Sequence, residues 1–124
     1  MASIESKIYG VLSASTSITA LTTRIYPEHR PAADALPAVV FSRVSGLRVN
    51  SLAGYSNLEN AQVQVECYAA SVDGRRALAD VVTTAITKAT TFNAVLMEAP
   101  FDDYDDESAL YIRTMDFSIW NRDT

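Results

Sequence analysis

Six acidic side chains crowd into the ten residues 98–107: Glu98, Asp102, Asp103, Asp105, Asp106 and Glu107. The other nine acids of the chain are balanced by ten lysines and arginines, so the whole net charge of −5 comes from this stretch. Hard cations seek clustered carboxylates, which makes a calcium loop one chemistry to weigh. The EF-hand spacing fails. Counted from Asp102, the sixth position is Glu107 where glycine is needed, and the twelfth is Arg113 where glutamate is needed. The plainer reading is a solvated turn, Asp102 to Ser108, kept soluble by like charges. A third use is repulsion of DNA phosphates from a channel wall.

The other reactive residues offer less. His29, the only histidine, lies between Pro27 and Pro31 with no metal-ligand spacing to a second ligand, and reads as a solvated loop residue. Cys67 falls on the apolar side of an alternating segment, in register with Val63 and Val65, which describes a small buried hydrophobe and not an activated nucleophile. Arg75 and Arg76 open a helix and could touch an anion, but adjacent arginines usually form a solvated face. Four scattered glycines form neither a phosphate loop nor a dinucleotide fingerprint, and the G-x-S-x-G nucleophile elbow is missing. No metal or cofactor site emerges. The chain does not read as an enzyme.

Composition narrows the class further. With 124 residues, 48% hydrophobic and 20% charged, the chain suits a single globular domain over 1–124. Excess negative charge argues against a protein that grips nucleic-acid backbone. One cysteine excludes an internal disulfide. No apolar run nears the roughly 18 residues of a membrane span, and no secretory leader is evident, so the expected setting is the cytoplasm or a particle assembled there.

The elements that must position these residues follow from periodicity. Ile4, Ile8, Val11 and Leu12 make one helical stripe, with Ser3 placed to cap it and the run Ser13–Ser17 to end it. Residues 22–37, with three prolines, read as loop. Ala38 to Val44 is strand-like, Gly46 to Asn60 a long polar connection, and Ala61 to Cys67 alternates cleanly as a strand. Ser71 caps a helix reaching Ala89, whose apolar stripe is Leu78, Val82, Ala85 and Ala89. Val95–Phe101 and Leu110–Trp120 are strands. In the last, Tyr111, Arg113, Met115, Phe117 and Ile119 share one side. Leu110, Ile112 and Trp120 leave more apolar surface on the other side than a lone subunit exposes, unless residues 22–37 cover it. The fold expected is α+β: an antiparallel sheet of about four strands with two helices on one face, in the order α-β-β-α-β-β.

Several segments, taken in order, resemble the tail-completion (tail terminator) family of tailed phages, small proteins first grouped as a domain of unknown function. They are the apolar first helix followed by Ile18-Thr-Ala-Leu-Thr-Thr-Arg-Ile-Tyr-Pro27, then Leu36-Pro-Ala-Val-Val-Phe41. Next come the loop and strand Gly54-Tyr-Ser-Asn-Leu-Glu-Asn-Ala-Gln-Val-Gln-Val-Glu-Cys-Tyr-Ala69, and the helix start Asp73-Gly-Arg-Arg-Ala-Leu-Ala79. The likeness spans about residues 4–90 and lies in order and spacing; the acidic stretch is not a family feature. The resemblance implies a non-enzymatic ring subunit, commonly in a hexamer. Such a ring caps the tail tube at the head-proximal end of the virion, meets the tail tube protein and the head connector or head-closure protein, and lets DNA pass without specific binding.

Long loops without secondary structure are usually functional or disordered, so the Gly46–Asn60 connection is the expected contact surface. Arg48, Asn50 and Tyr55, large or polar groups among small residues, are its expected contact residues. Deletion of residues 49–57 is expected to spare the fold and abolish head-to-tail joining. Two rivals stand beside this reading. One is a head-closure or neck adaptor of the same particle; the other is a cytosolic ligand- or metal-binding α+β protein that uses Asp102–Glu107.

Overall fold

Residues 4–28, 36–48, 58–97, 100–106 and 109–122 are described by a computed structural model. Helix α1 (Ile4–Ala14) buries Ile4, Ile8 and Leu12 completely, as the spacing predicts. Ser3, its expected cap, lies outside the described residues. A single turn, α2 (Thr16–Thr19), follows at once. Its cap is Ser15, whose hydroxyl accepts the Ile18 N–H at 3.3 Å, and it buries Ile18. The Ser/Thr run thus ends one helix and caps another, because a short hydroxyl side chain serves both purposes.

The strands are β1 (Ile25–Pro27), β2 (Ala38–Arg48), β3 (Leu58–Ala69), β4 (Asn93–Leu96), β5 (Phe101–Asp105) and β6 (Leu110–Arg122). They form one mixed sheet in the order β1-β2-β3-β6-β4, with β5 also paired to β6. β1 runs parallel to β2; every other pairing is antiparallel. β4 pairs Phe117–Trp120 and β5 pairs Leu110–Thr114, so two short strands share one edge of β6.

The expectation of an antiparallel sheet of four strands in the order α-β-β-α-β-β is therefore corrected to a mixed sheet of six in the order α-α-β-β-β-α-β-β-β. Residues 22–37 contain β1, which survives beside prolines because it is an edge strand, where a missing N–H costs little. The Thr22 hydroxyl fastens its approach, donating to the Pro37 carbonyl at 2.7 Å and accepting the Arg24 N–H at 3.0 Å. The expected turn Asp102–Ser108 is strand β5 through Asp105. The expected strand Val95–Phe101 is the short β4, with β5 beginning where it was expected to end. The long connection shrinks as well: β2 pairs through Arg48 with Glu59, with a bulge at Val44.

Helix α3 (Val72–Thr87) matches its expected start, with the Ser71 hydroxyl accepting the Gly74 N–H at 3.0 Å. Ser71→Ala is expected to destabilise the fold by about 1 kcal/mol, read as a lower midpoint in urea. Leu78, Ala79, Val82 and Ile86 of α3 join the α1 residues in one core. That core also takes Val39 and Phe41 from β2, Ala61, Val63, Val65 and Cys67 from β3, and Met115, Phe117 and Ile119 from β6. The register sets these residues side by side: Val39 beside Cys67, Phe41 beside Val65 beside Met115, and Val63 beside Phe117. Both long helices therefore cover the same face of the sheet.

Candidate functional site

The acidic stretch is the first place to look, and alternation takes its carboxylates apart. Asp102 pairs with Arg113 in register, on the helix-bearing side, while Asp103 and Asp105 sit opposite Ile112 and Leu110 and point the other way. Among the described residues no three His, Cys, Asp or Glu side chains converge in a way that could hold a metal ion.

Asp102 instead anchors β5. Arg113 donates to it twice, from Nε at 2.7 Å and from Nη2 at 3.0 Å, the forked geometry that gives a guanidinium–carboxylate pair its strength. Arg75, from the first turn of α3, adds an ion pair to Asp102 at 3.6 Å. It also donates to the Asp103 carbonyl at 3.1 Å and lies over the Tyr111 ring at 5.5 Å from its centre. Tyr104 packs tilted on Tyr111, with ring centres 4.6 Å apart. Arg75, read from the sequence as a solvated residue, is thus a brace between α3 and β5. The sequence signal for it was faint: a single arginine at a helix start, with its partners 27 and 28 residues on.

Hydrogen bonds from Arg113, with help from its charge and that of Arg75, hold the Asp102 carboxyl below the usual carboxylate range. A depressed folded-state pKa contributes stability above the unfolded value of about 3.9, and that contribution is lost as pH falls through the folded value. Asp102→Asn is therefore expected to be less stable than the parent chain at neutral pH, with the gap closing below about pH 4. Urea midpoints at pH 3 and pH 7 check it.

Cys67 is fully buried, and burial pushes its thiol up to about 12. A thiol kept protonated is no nucleophile at neutral pH.

The second feature is the sheet face that the helices leave open. Its middle carries Ser42 from β2, Gln62, Gln64 and Glu66 from β3, and Thr114, Asp116 and Ser118 from β6, all partly exposed. Asn60 bridges two strands there, donating to Ser118 Oγ at 2.9 Å. Among the described side chains this face bears no lysine or arginine: Arg43 and Arg113 project to the helix side by register, and the Arg122 position falls on this face only at the far end of β6. Of the three residues expected to add apolar surface here, Leu110 is buried, Ile112 half-buried and Trp120 42% exposed. Apolar exposure is therefore confined to the sheet's margins.

Of the expected contact residues, Arg48 ends β2, while Asn50 and Tyr55 lie outside the described residues, as does His29. Arg48 thus stands at the end of β2, paired with Glu59.

A helix, a hairpin of long strands, a second helix and a long closing strand, in this order, match the family model of the tail completion protein gp17 over residues 6–122. The chain belongs to the tail completion family. This makes it a structural tail protein by kind. Its fold is also similar to that of a chain in the virion of a native gene transfer agent particle. The TM-score is 0.71 at 16% identity, over 91% of this chain and 90% of that one. At that identity the likeness is one of fold. No curated protein matches it in sequence.

Proposed function

We propose that this tail completion protein is a non-enzymatic terminator. As one domain over 1–124, it forms a ring, most simply a hexamer, on the head-proximal end of the tail tube and joins the tube to the head connector. The observation that carries this reading is the open sheet face. A wall past which DNA must slide has to be wetted by polar groups and free of cations, because each phosphate contact with lysine or arginine adds affinity. Gln62, Gln64, Glu66 and Asp116 meet that requirement on a face that an ordinary two-layer fold leaves to solvent. The particle in which a similar fold occurs is itself a virion. In this arrangement the connection between β2 and β3, with Arg48, Asn50 and Tyr55, is the contact with the neighbouring protein of the tail or head.

Negative-stain microscopy of particles from a phage with this gene disrupted tests the proposal. Headless tails of uncontrolled length are the expected result. Headless tails of normal length would overturn it in favour of a neck adaptor, and intact particles would remove the protein from the virion.

A further inference from the structure

If the open face lines a channel, each subunit meets its neighbours at the two edges of its sheet, and those edges differ. Exposed large apolar side chains gather at the β4–β5 edge: Val95, Met97, Phe101, Tyr104 and Trp120. Tyr104 is 44% exposed and projects on the helix-bearing side, its ring already held against Tyr111. It is an ordered knob that costs little entropy to use, because an aromatic ring has few torsions to fix.

At the opposite edge, between α1 and β1, lies a mainly apolar notch of about 430 Å³ lined by Glu5, Ser6, Tyr9, Pro27 and Phe41. It too opens on the helix-bearing side. One of its polar atoms can take a further donor: Glu5 Oε1 is ion-paired with Arg43 Nη1 at 3.7 Å but accepts no hydrogen bond, on a side chain that is 39% exposed. A carboxylate oxygen has room for more than one partner, and a tyrosine hydroxyl is a suitable donor.

Charge decides what occupies each edge. The β5 strand carries Asp102, Asp103 and Asp105, with Asp106 just beyond, while on the β1–β2 side Arg24 and Arg43 are balanced by Glu5 and Glu28. Two copies of the acidic edge would repel each other, since like charges set opposite one another destabilise a pairing. The β1–β2 edge, where Arg24 and Arg43 offset Glu5 and Glu28, carries no such repulsion. A knob at one edge and a notch at the other form a head-to-tail contact, the kind that closes into a ring at the right rotation.

We propose that Tyr104 of one copy enters the notch of the next copy and donates its hydroxyl to Glu5. The inference rests on the ring reading above. A double variant, Ser6→Cys with Tyr104→Cys, tests it in purified particles. Ser6 lies on α1 beside Pro27 of β1, and β1 stands four strand spacings, roughly 19 Å, from β5, so a disulfide within one chain is not expected. Cys67 is buried and stays silent. Non-reducing gels are expected to show a ladder of covalent oligomers from the double variant and none from either single variant. A second variant, Ser6→Trp, fills the notch and leaves Tyr104 in place. It is expected to cut infectious titre at least about 100-fold, the scale of losing a buried interface anchor, with thermal melting unchanged.

Several results would overturn the contact and spare the ring. They are particles that carry a ring yet give no ladder, Ser6→Trp phage with normal titre, or dimers from Tyr104→Cys alone. Particles without a ring of this protein would overturn both.

Discussion

Phe117→Ala is expected to remove roughly 3–5 kcal/mol of folding stability, the usual loss for truncating a buried phenylalanine. Phe117 is fully buried near the middle of β6. It stands in register with Val63 on one side and Leu96 on the other, beneath the helices. Deleting its ring removes apolar burial from three strands at once, and the long ladder between β3 and β6 keeps the backbone from collapsing into the void. A domain of this size has only about 5–15 kcal/mol in hand. A urea midpoint lowered by about a fifth or more is the expected outcome. A loss under about 1 kcal/mol would mean that the core is not packed as described. Val95→Ala makes the contrast, since that side chain is 62% exposed and its truncation should change little.

Removal of the β2–β3 connection should have the opposite profile: stability kept, function lost. Simple deletion of residues 49–57 is too severe, because Arg48 pairs with Glu59 and a single residue would remain to reverse the chain. Replacing residues 49–58 by Asn-Gly supplies the two-residue turn that suits the twist of an antiparallel pair. The variant is expected to melt within a few degrees of the parent, because β2 and β3 keep their register through Arg48 and Glu59. It is also expected to yield tails and filled heads that fail to join, counted by microscopy. Normal joining would release Arg48, Asn50 and Tyr55 from any contact role. A collapse in melting temperature would make the connection a folding element instead.

What the sequence disclosed, and what it hid, follows from how local each cause is. The α1 stripe, the Ser71 cap and the alternation of Ala61 to Cys67 are local signals, and each appears where expected. Cys67 could be judged inert from its neighbours at two-residue spacing. β5 was hidden because three of its five residues are aspartates, which strands disfavour. It pairs because Arg113 and Tyr111 wait on β6, and Arg75 on α3, to receive Asp102 and Tyr104. No window of neighbouring residues contains that fact. β1 was hidden among prolines for the same reason, since a three-residue parallel edge exists only once β2 is in place. The open face could be foreseen in part, from the glutamines and Glu66 that alternate with the core residues of β3. That none of its described side chains is a cation became visible only with the register that sends Arg43 and Arg113 to the other side.

The lengths of the central strands have a mechanical consequence. β2, β3 and β6 hold 11, 12 and 13 residues and lie next to one another in the sheet. At about 3.4 Å per residue the longest spans roughly 44 Å, and its bonds to β3 form one unbroken ladder. A force directed along these strands loads all the rungs in shear at once, so none yields before the others. A force across them meets only β4 and β5 with four and five residues, or β1 with three, and peels those rungs one after another. The subunit is therefore stiff along one axis and compliant across it, and thrust is borne best parallel to β6.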